Sequence, residues 1–70
     1  MQKWEYLFVE AGHDGSHWRP QVVNGEDLND WKKGPTLYQY ANQLGEEGWE
    51  LISEYHYPVH RGLSFRRARG

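Results

Sequence analysis

The chain has 70 residues, no cysteine and a formal net charge of −2 at pH 7, which predicts one small domain that folds without disulfides. The missing cysteine excludes thiol catalysis and thiolate metal sites, and no apolar run approaches the ~18 residues of a membrane-spanning helix. Aromatic residues make up 16% of the sequence, so we expect their rings to supply much of the core.

Two strands are predicted in the first part of the chain. Residues 3–10 alternate between two sets of side chains with the two-residue period of a strand. A loop with an Asp-Gly pair follows, and residues 18–25 form the second strand. Pro20 cannot donate a hydrogen bond to a neighbouring strand, so the second strand is expected at a sheet edge. Two apolar side chains, Leu28 and Trp31, are expected to anchor the polar segment that comes next.

A helix is predicted to begin near residue 36. Pro35 suits a first helical position, and Thr36 with Gln39 has the spacing of a capping box. Four residues spaced i, i+3, i+4 and i+7 form one apolar helix face. They are Leu37, Tyr40, Ala41 and Leu44.

The end of the helix is predicted from the stretch Leu-Gly-Glu-Glu-Gly-Trp-Glu-Leu. If Gly48 takes the left-handed position after the helix, Leu44 and Trp49 occupy the two positions that a Schellman motif joins by an apolar contact. Gly45 then lies in the last turn, which costs ~1 kcal/mol relative to alanine. A close approach of the helix to the sheet is expected to explain that glycine.

Two further strands complete the predicted fold. Residues 49–57 alternate, which places Glu50, Ile52, Glu54 and His56 on the side opposite Leu51, Ser53, Tyr55 and Tyr57. After a turn at Pro58, residues 63–67 form the fourth strand. The prediction for residues 1–70 is therefore a single α+β domain with the order β-β-α-β-β, in which one helix packs on one face of a four-stranded antiparallel sheet.

The start Lys-Trp-Glu-Tyr, the middle block Leu-Gly-Glu-Glu-Gly-Trp-Glu-Leu-Ile and the final Leu-Ser-Phe-Arg-Arg resemble a family of short bacterial and phage domains of unknown function. Members of that family typically begin Trp-Glu-Tyr and carry Leu-Gly-x-Glu-Gly-Trp-Glu-Leu. The segment between the first strand and the helix is longer here than in the shortest members. The resemblance implies a small α+β fold, and it implies no activity, cofactor or catalytic residue.

Aromatic and arginine side chains are the candidate ligand-binding residues. Rings stack on bases, and guanidinium groups bind phosphates with two parallel hydrogen bonds. The candidates on or near strands are Trp18, Tyr55, Tyr57, Arg61, Arg66 and Arg67. Residues 1–60 carry four basic and ten acidic side chains, a balance of −6, whereas residues 61–70 carry four arginines and no acid. The acidic body argues against duplex nucleic acid, which favours a basic surface.

Catalytic and metal-binding patterns are weaker. His13 and His17 are four residues apart, as are His56 and His60, but neither pair lies on a predicted helix, where that spacing would align two metal ligands. No serine lies in a nucleophile-elbow motif. We therefore expect no catalytic residue, no metal and no cofactor.

Apolar side chains are expected on both faces of the sheet, although one helix covers only one face. Leu7, Val9, Val23 and Ile52 alternate away from the aromatic set of the first strand, and an uncovered apolar face usually marks an interface. Glu50 and Glu54 are expected on that face, where arginines of a second copy could pair with them.

The sequence thus predicts a non-catalytic, self-associating binding module that forms a homodimer or higher homo-oligomer. The alternatives are a binder of a small nucleotide or phosphate compound, and a metal-dependent enzyme. The N-terminal apolar stretch is short and interrupted by Glu5 and Glu10, unlike a secretory signal. We expect a soluble cytoplasmic protein from a bacterium or phage, with no membrane contact.

Overall fold

A computed structural model describes residues 1–69 and shows an antiparallel sheet with one helix on one face. The elements are β1 (Lys3–His13), β2 (Trp18–Val23), β3 (Glu26–Asp27), α1 (Leu37–Glu46), β4 (Glu50–Tyr57) and β5 (His60–Arg69), with a short 3-10 turn at Trp31–Lys33. The strands are arranged in the order β3-β2-β1-β5-β4. The predicted α+β class is confirmed. No helix within residues 1–69 is long and apolar enough to cross a membrane.

The fifth strand, β3, is the difference from the predicted four. Asn24 and Gly25 have φ values of 50° and 82°, as a tight two-residue hairpin turn requires. The chain therefore folds back, and β3 pairs with Val22 and Val23. The Leu28 amide also donates to the Gln21 carbonyl, whereas Pro20 has no strand partner on that side among the described residues. The predicted edge position therefore holds at Pro20 and not for the whole of β2.

The predicted caps of α1 are confirmed at both ends. The Thr36 side chain accepts from the Gln39 amide while the Gln39 side chain accepts from the Thr36 amide, which completes a capping box. At the other end, Gly48 has a φ of 91°. The Trp49 amide donates to the Leu44 carbonyl at 3.0 Å, as in a Schellman motif. The expected close approach at Gly45 was wrong, because a Cβ atom there would meet open space.

The core lies between α1 and the face of the sheet that carries aliphatic side chains. Its buried residues are Val9, Ala11, Leu37, Leu44, Leu63 and Phe65, and Leu7, Val23 and Trp49 pack against them. Our expectation that Leu7, Val9 and Val23 would lie on an uncovered face was therefore wrong. The helix covers the aliphatic set of β1, and the aromatic set Trp4, Tyr6 and Phe8 stays exposed.

A bulge breaks the predicted alternation of β4. Leu51 is opposite Phe65 and Ser53 is opposite Ser64, so Ile52 is an extra residue without a partner on β5. The bulge moves Glu50 and Glu54 to opposite faces of the sheet. Glu50 is opposite Arg66, whereas Glu54 is opposite the buried Leu63. The prediction that Glu50 and Glu54 share one face was wrong.

Candidate functional site

The sheet face opposite α1 is an aromatic surface. On the central strand β1, Trp4 is 37% exposed, Tyr6 is 50% exposed and Phe8 is 56% exposed. Tyr55 and Tyr57 lie on the same face, on the edge strand β4, with ring centroids 5.9 Å apart. The Tyr55 ring covers Gly62. We call this surface, defined by Trp4, Tyr6, Phe8, Tyr55 and Tyr57, the open face.

The arginine of the open face is neutralised within the chain. Arg66 lies opposite Tyr6 on β5, and its guanidinium carbon is 4.2 Å from the centroid of the Trp4 ring. Its Nη2 is 3.1 Å from Oε1 of Glu50. The guanidinium therefore already has a ring beneath it and a carboxylate beside it. Glu10 alternates onto the same face of β1, so the open face has no excess of positive charge.

Arg67 forms a matching arrangement on the helix side of the sheet. Its guanidinium carbon lies 4.2 Å from the Trp49 ring centroid, and its Nε donates to Glu5 at 2.6 Å. Its Nη1 donates to the Glu47 carbonyl at 3.1 Å, next to the end of α1. Consecutive residues on a strand point to opposite faces, so Arg66 and Arg67 cannot contact one small ligand together.

Arg61 is the least neutralised of the three candidate arginines. Its guanidinium carbon is 5.9 Å from the Trp18 ring centroid and 5.4 Å from that of Tyr38. Its Nη2 donates to the Tyr38 hydroxyl at 3.2 Å and is 3.6 Å from Oε2 of Glu54. The buried Nε of Arg61 has no hydrogen-bond partner in the described chain, which is an unusual state for a buried donor.

Two histidines contact the same tryptophan. The His13 and His56 rings meet Trp18 edge to face, with centroid distances of 5.1 Å and 5.3 Å. One imidazole of each histidine pair thus packs on the same indole. Across residues 1–69, no group of three or more acidic or histidine side chains is close enough to hold a metal ion.

The predicted ligand-binding residues do not form a single site. The fold brings Trp18 and Arg61 together at one end of the helix side, and it brings Tyr55 and Tyr57 together on the open face. Arg66 and Arg67 lie on opposite faces at the other end of β5. Sequence reasoning missed Trp4, Tyr6, Phe8 and Tyr38. Tryptophan and tyrosine carry polar atoms and therefore tolerate water better than aliphatic side chains do. This difference was a signal that Trp4 and Tyr6 lie on the exposed face of β1.

Among residues 1–69, Asp14 and Tyr40 have shifted pKa values, and both shifts have structural causes. Arg19 beside Asp14, together with the amides of His17 and Ser16 that donate to the carboxylate, holds the pKa of Asp14 well below its usual range. These bonds shape the turn between β1 and β2. Burial raises the pKa of Tyr40, and the nearby Glu47 adds to the effect.

The surface formed by residues 1–69 has no pocket of ligand size. Small-molecule sites are usually concave. Comparison of the chain with models of known protein families, with curated proteins and with solved structures finds no match. Membership of the short bacterial and phage family therefore stays a prediction.

Proposed function

We propose that this protein is a non-catalytic, self-associating binding module, and that the open face is its interface. The observation that carries the proposal is the exposure of Trp4, Tyr6 and Phe8 on the central strand of the sheet. The core covers one face of this strand. Large rings that stay exposed in a row on the other face mark an interaction surface. Aromatic residues are also enriched in the centres of protein interfaces.

The energy available from this surface is large for so small a domain. A fully buried aromatic side chain removes ~150–250 Å² from water. The rings of the open face retain a third or more of their exposure, so a partner would bury a few hundred Å² more. At ~25 cal/mol per Å², that burial contributes several kcal/mol before the entropy of association is subtracted. Domains of this size are stable by only ~5–15 kcal/mol.

A second copy of the chain is the partner that fits this surface best. Arg66 is occupied by Trp4 and Glu50, so the open face offers little positive charge to a phosphate backbone. An aromatic surface that is close to neutral is complementary to itself, and two such sheets can pack face to face ~10 Å apart. Closed two-fold pairs are the most common homo-oligomers.

The mass of the protein in solution tests the proposal. Light scattering at micromolar concentration should give a mass above the 8.3 kDa of one chain. Phe8→Glu should lower that mass, because it places a charge in the centre of the contact. Val59→Glu is the control, since Val59 is 74% exposed in the turn between β4 and β5. A monomeric mass for the unmodified protein across this range would refute self-association.

A small anionic ligand at Arg61 is a second candidate function. It is favoured by the unpartnered Nε and by the 3.6 Å separation from Glu54, which leave this guanidinium with unused hydrogen-bonding capacity. Trp18 and Tyr38 would supply ring contacts on either side. Phosphate and nucleotides should then raise the melting temperature, since a ligand at 100 times its dissociation constant adds about 2.7 kcal/mol.

Two arginine variants separate a specific anion site from general charge effects. Arg61→Gln should abolish the thermal shift, whereas Arg66→Gln should preserve it, because Arg66 is already paired with Glu50. Equal shifts in both variants, or no shift with any phosphate compound, would refute the anion site. Neither result bears on the mass measurement.

A further inference from the structure

The outer edge of β4 is an unused pairing surface. β4 ends the sheet and, within residues 1–69, pairs with no strand except β5. All eight of its residues are exposed. Strands that end a sheet present a row of free backbone amides and carbonyls that can pair with another strand. α1 contacts β4, but it leaves every residue of that strand exposed.

The charged side chains that commonly protect such an edge are turned away from it. Charges on an edge strand discourage pairing with other chains. Here, Glu50 pairs with Arg66 and Glu54 lies 3.6 Å from Arg61. Both arginines belong to β5, so the two carboxylates lean toward the interior of the sheet. The free edge therefore has unpaired backbone groups, beside two carboxylates that are each more than half exposed and already paired with β5.

The bulge at Ile52 limits which part of β4 can pair. Residues 53–57 follow one another in unbroken register with β5, from Ser53 opposite Ser64 to Tyr57 opposite His60. A regular partner strand needs a regular edge, and a bulge terminates pairing. The segment Ser53–Tyr57 is thus the part of the edge that can take a further antiparallel strand.

Charge selects the register for a second copy on this edge. When a two-fold axis relates two antiparallel strands, the residue at the axis is opposite the same residue of the other copy. The residue before it is opposite the residue after it in the other copy. With the axis at Glu54, two carboxylates would be directly opposed, which is destabilising. With the axis at Tyr55, Glu54 of each copy is opposite His56 of the other copy. Ser53 is then opposite Tyr57, and all five residues of the segment are paired.

We propose that β4 pairs along its free edge with β4 of a second copy, antiparallel, about a two-fold axis at Tyr55. This proposal rests on the proposed self-association and adds a second interface to it. Two five-stranded sheets then join into one continuous sheet, and the two open faces become one surface on the same side. Contact between two such surfaces closes an assembly of four chains, in which the edge and the open face have separate roles.

Cysteine cross-linking tests the register directly, because the chain has no cysteine of its own. Residues directly opposite in antiparallel strands have Cα atoms ~4.5–5.5 Å apart, and disulfides form at ~4.4–6.8 Å. Tyr55→Cys should therefore cross-link two chains on mild oxidation. Val59→Cys, on an equally accessible side chain outside the paired segment, should not. No cross-link in the first variant, or equal cross-linking in both, would overturn the proposal.

A mixing experiment keeps the test valid if loss of the Tyr55 ring, which covers Gly62, prevents folding. Ser53→Cys and Tyr57→Cys are prepared separately. In a dimer of either variant alone, the proposed register places each cysteine opposite an unmodified residue of the other copy. Neither alone should cross-link, whereas an equal mixture should give the mixed dimer. Cross-linking within either single variant, or none in the mixture, would refute the axis at Tyr55.

The edge and the open face are distinguished by repeating the mixture with Phe8→Glu in both chains. This change removes the open-face contact only, so the cross-link should persist and the mass should fall from four chains to two. A cross-link that disappears with Phe8→Glu would show that the edge contact does not exist by itself. If the unmodified protein is oligomeric and no cysteine pair reacts, the edge proposal fails and the open-face interface stands.

Discussion

The guanidinium carbon of Arg67 lies 4.2 Å from the centroid of the Trp49 ring, and this contact joins the last strand to the residue immediately before β4. The same side chain donates to Glu5 on β1 and to the Glu47 carbonyl at the helix end. One arginine thus connects three elements that are distant in sequence. The negative end of the helix dipole lies at that carbonyl, where a cation is stabilising.

Arg67→Ala should lower the free energy of unfolding by about 1 kcal/mol. The Glu5 and Arg67 side chains are each more than a third exposed, so solvent screens the ion pair and the stacking contact contributes most of the effect. The midpoint of urea unfolding measures the loss. Arg69→Ala, on an exposed residue of the same strand, is the control and should leave the midpoint unchanged. An equal loss in both variants would contradict the assigned contacts.

The two glycines at the end of α1 should respond to alanine with opposite signs. Gly48 has a φ of 91°, where a Cβ atom is strained, so Gly48→Ala should destabilise by ~1 kcal/mol or more. Gly45 is helical, and a Cβ there meets nothing within 4 Å, so Gly45→Ala should stabilise by ~0.5–1 kcal/mol. Urea midpoints rank the two. A loss of stability in Gly45→Ala would contradict the open space around this position.

Asp14 should make stability depend on acidic pH. Its pKa is lowered on folding by Arg19 and by the turn amides, so the folded state favours the charged carboxylate. Its contribution is therefore complete above the unfolded pKa of ~3.9 and is lost as the pH falls toward the lower folded value. Asp14→Asn should be less stable than the unmodified protein at pH 7, and the difference should shrink below pH ~4. Urea midpoints between pH 7 and pH 2 measure it, with Asp27→Asn as control. A constant difference across that range would contradict the predicted linkage.

Gly12 should not tolerate a side chain. A Cβ atom at this position would lie 2.8 Å from Cη2 of Trp31 and 2.7 Å from Oε1 of Gln21, so Gly12→Ala should cost ~1–3 kcal/mol through overpacking. Tryptophan fluorescence should also change if the Trp31 ring is displaced. The double variant with Trp31→Leu should lose less stability than the sum of the losses in the two single variants, because the smaller leucine removes the clash. Strict additivity would place the strain on Gln21 instead.

The sequence by itself determined the features that depend on neighbouring residues. The helix, its capping box from Thr36 to Gln39 and its stop at Gly48 were all predicted, because the hydrogen bonds and dihedral angles that define them join residues only a few positions apart. Strand periodicity likewise identified β1, β2, β4 and β5. The short β3 was missed, although its Asn-Gly turn is a recognised hairpin signal.

Only the tertiary structure decided which face of β1 the helix covers. Both alternating sets of that strand are apolar, so periodicity could not rank them. The helix buries Val9 and Ala11, whose small aliphatic side chains need no hydrogen-bond partner, whereas buried tyrosine and tryptophan usually require one for their polar atoms. Periodicity likewise could not assign the faces of Glu50 and Glu54. The unpaired residue at the Ile52 bulge moves every later side chain of β4 to the opposite face from the one that alternation predicts. The meeting of Trp18 with Arg61 likewise depends on strand order and register, which are set by packing across the whole sheet and by no local pattern.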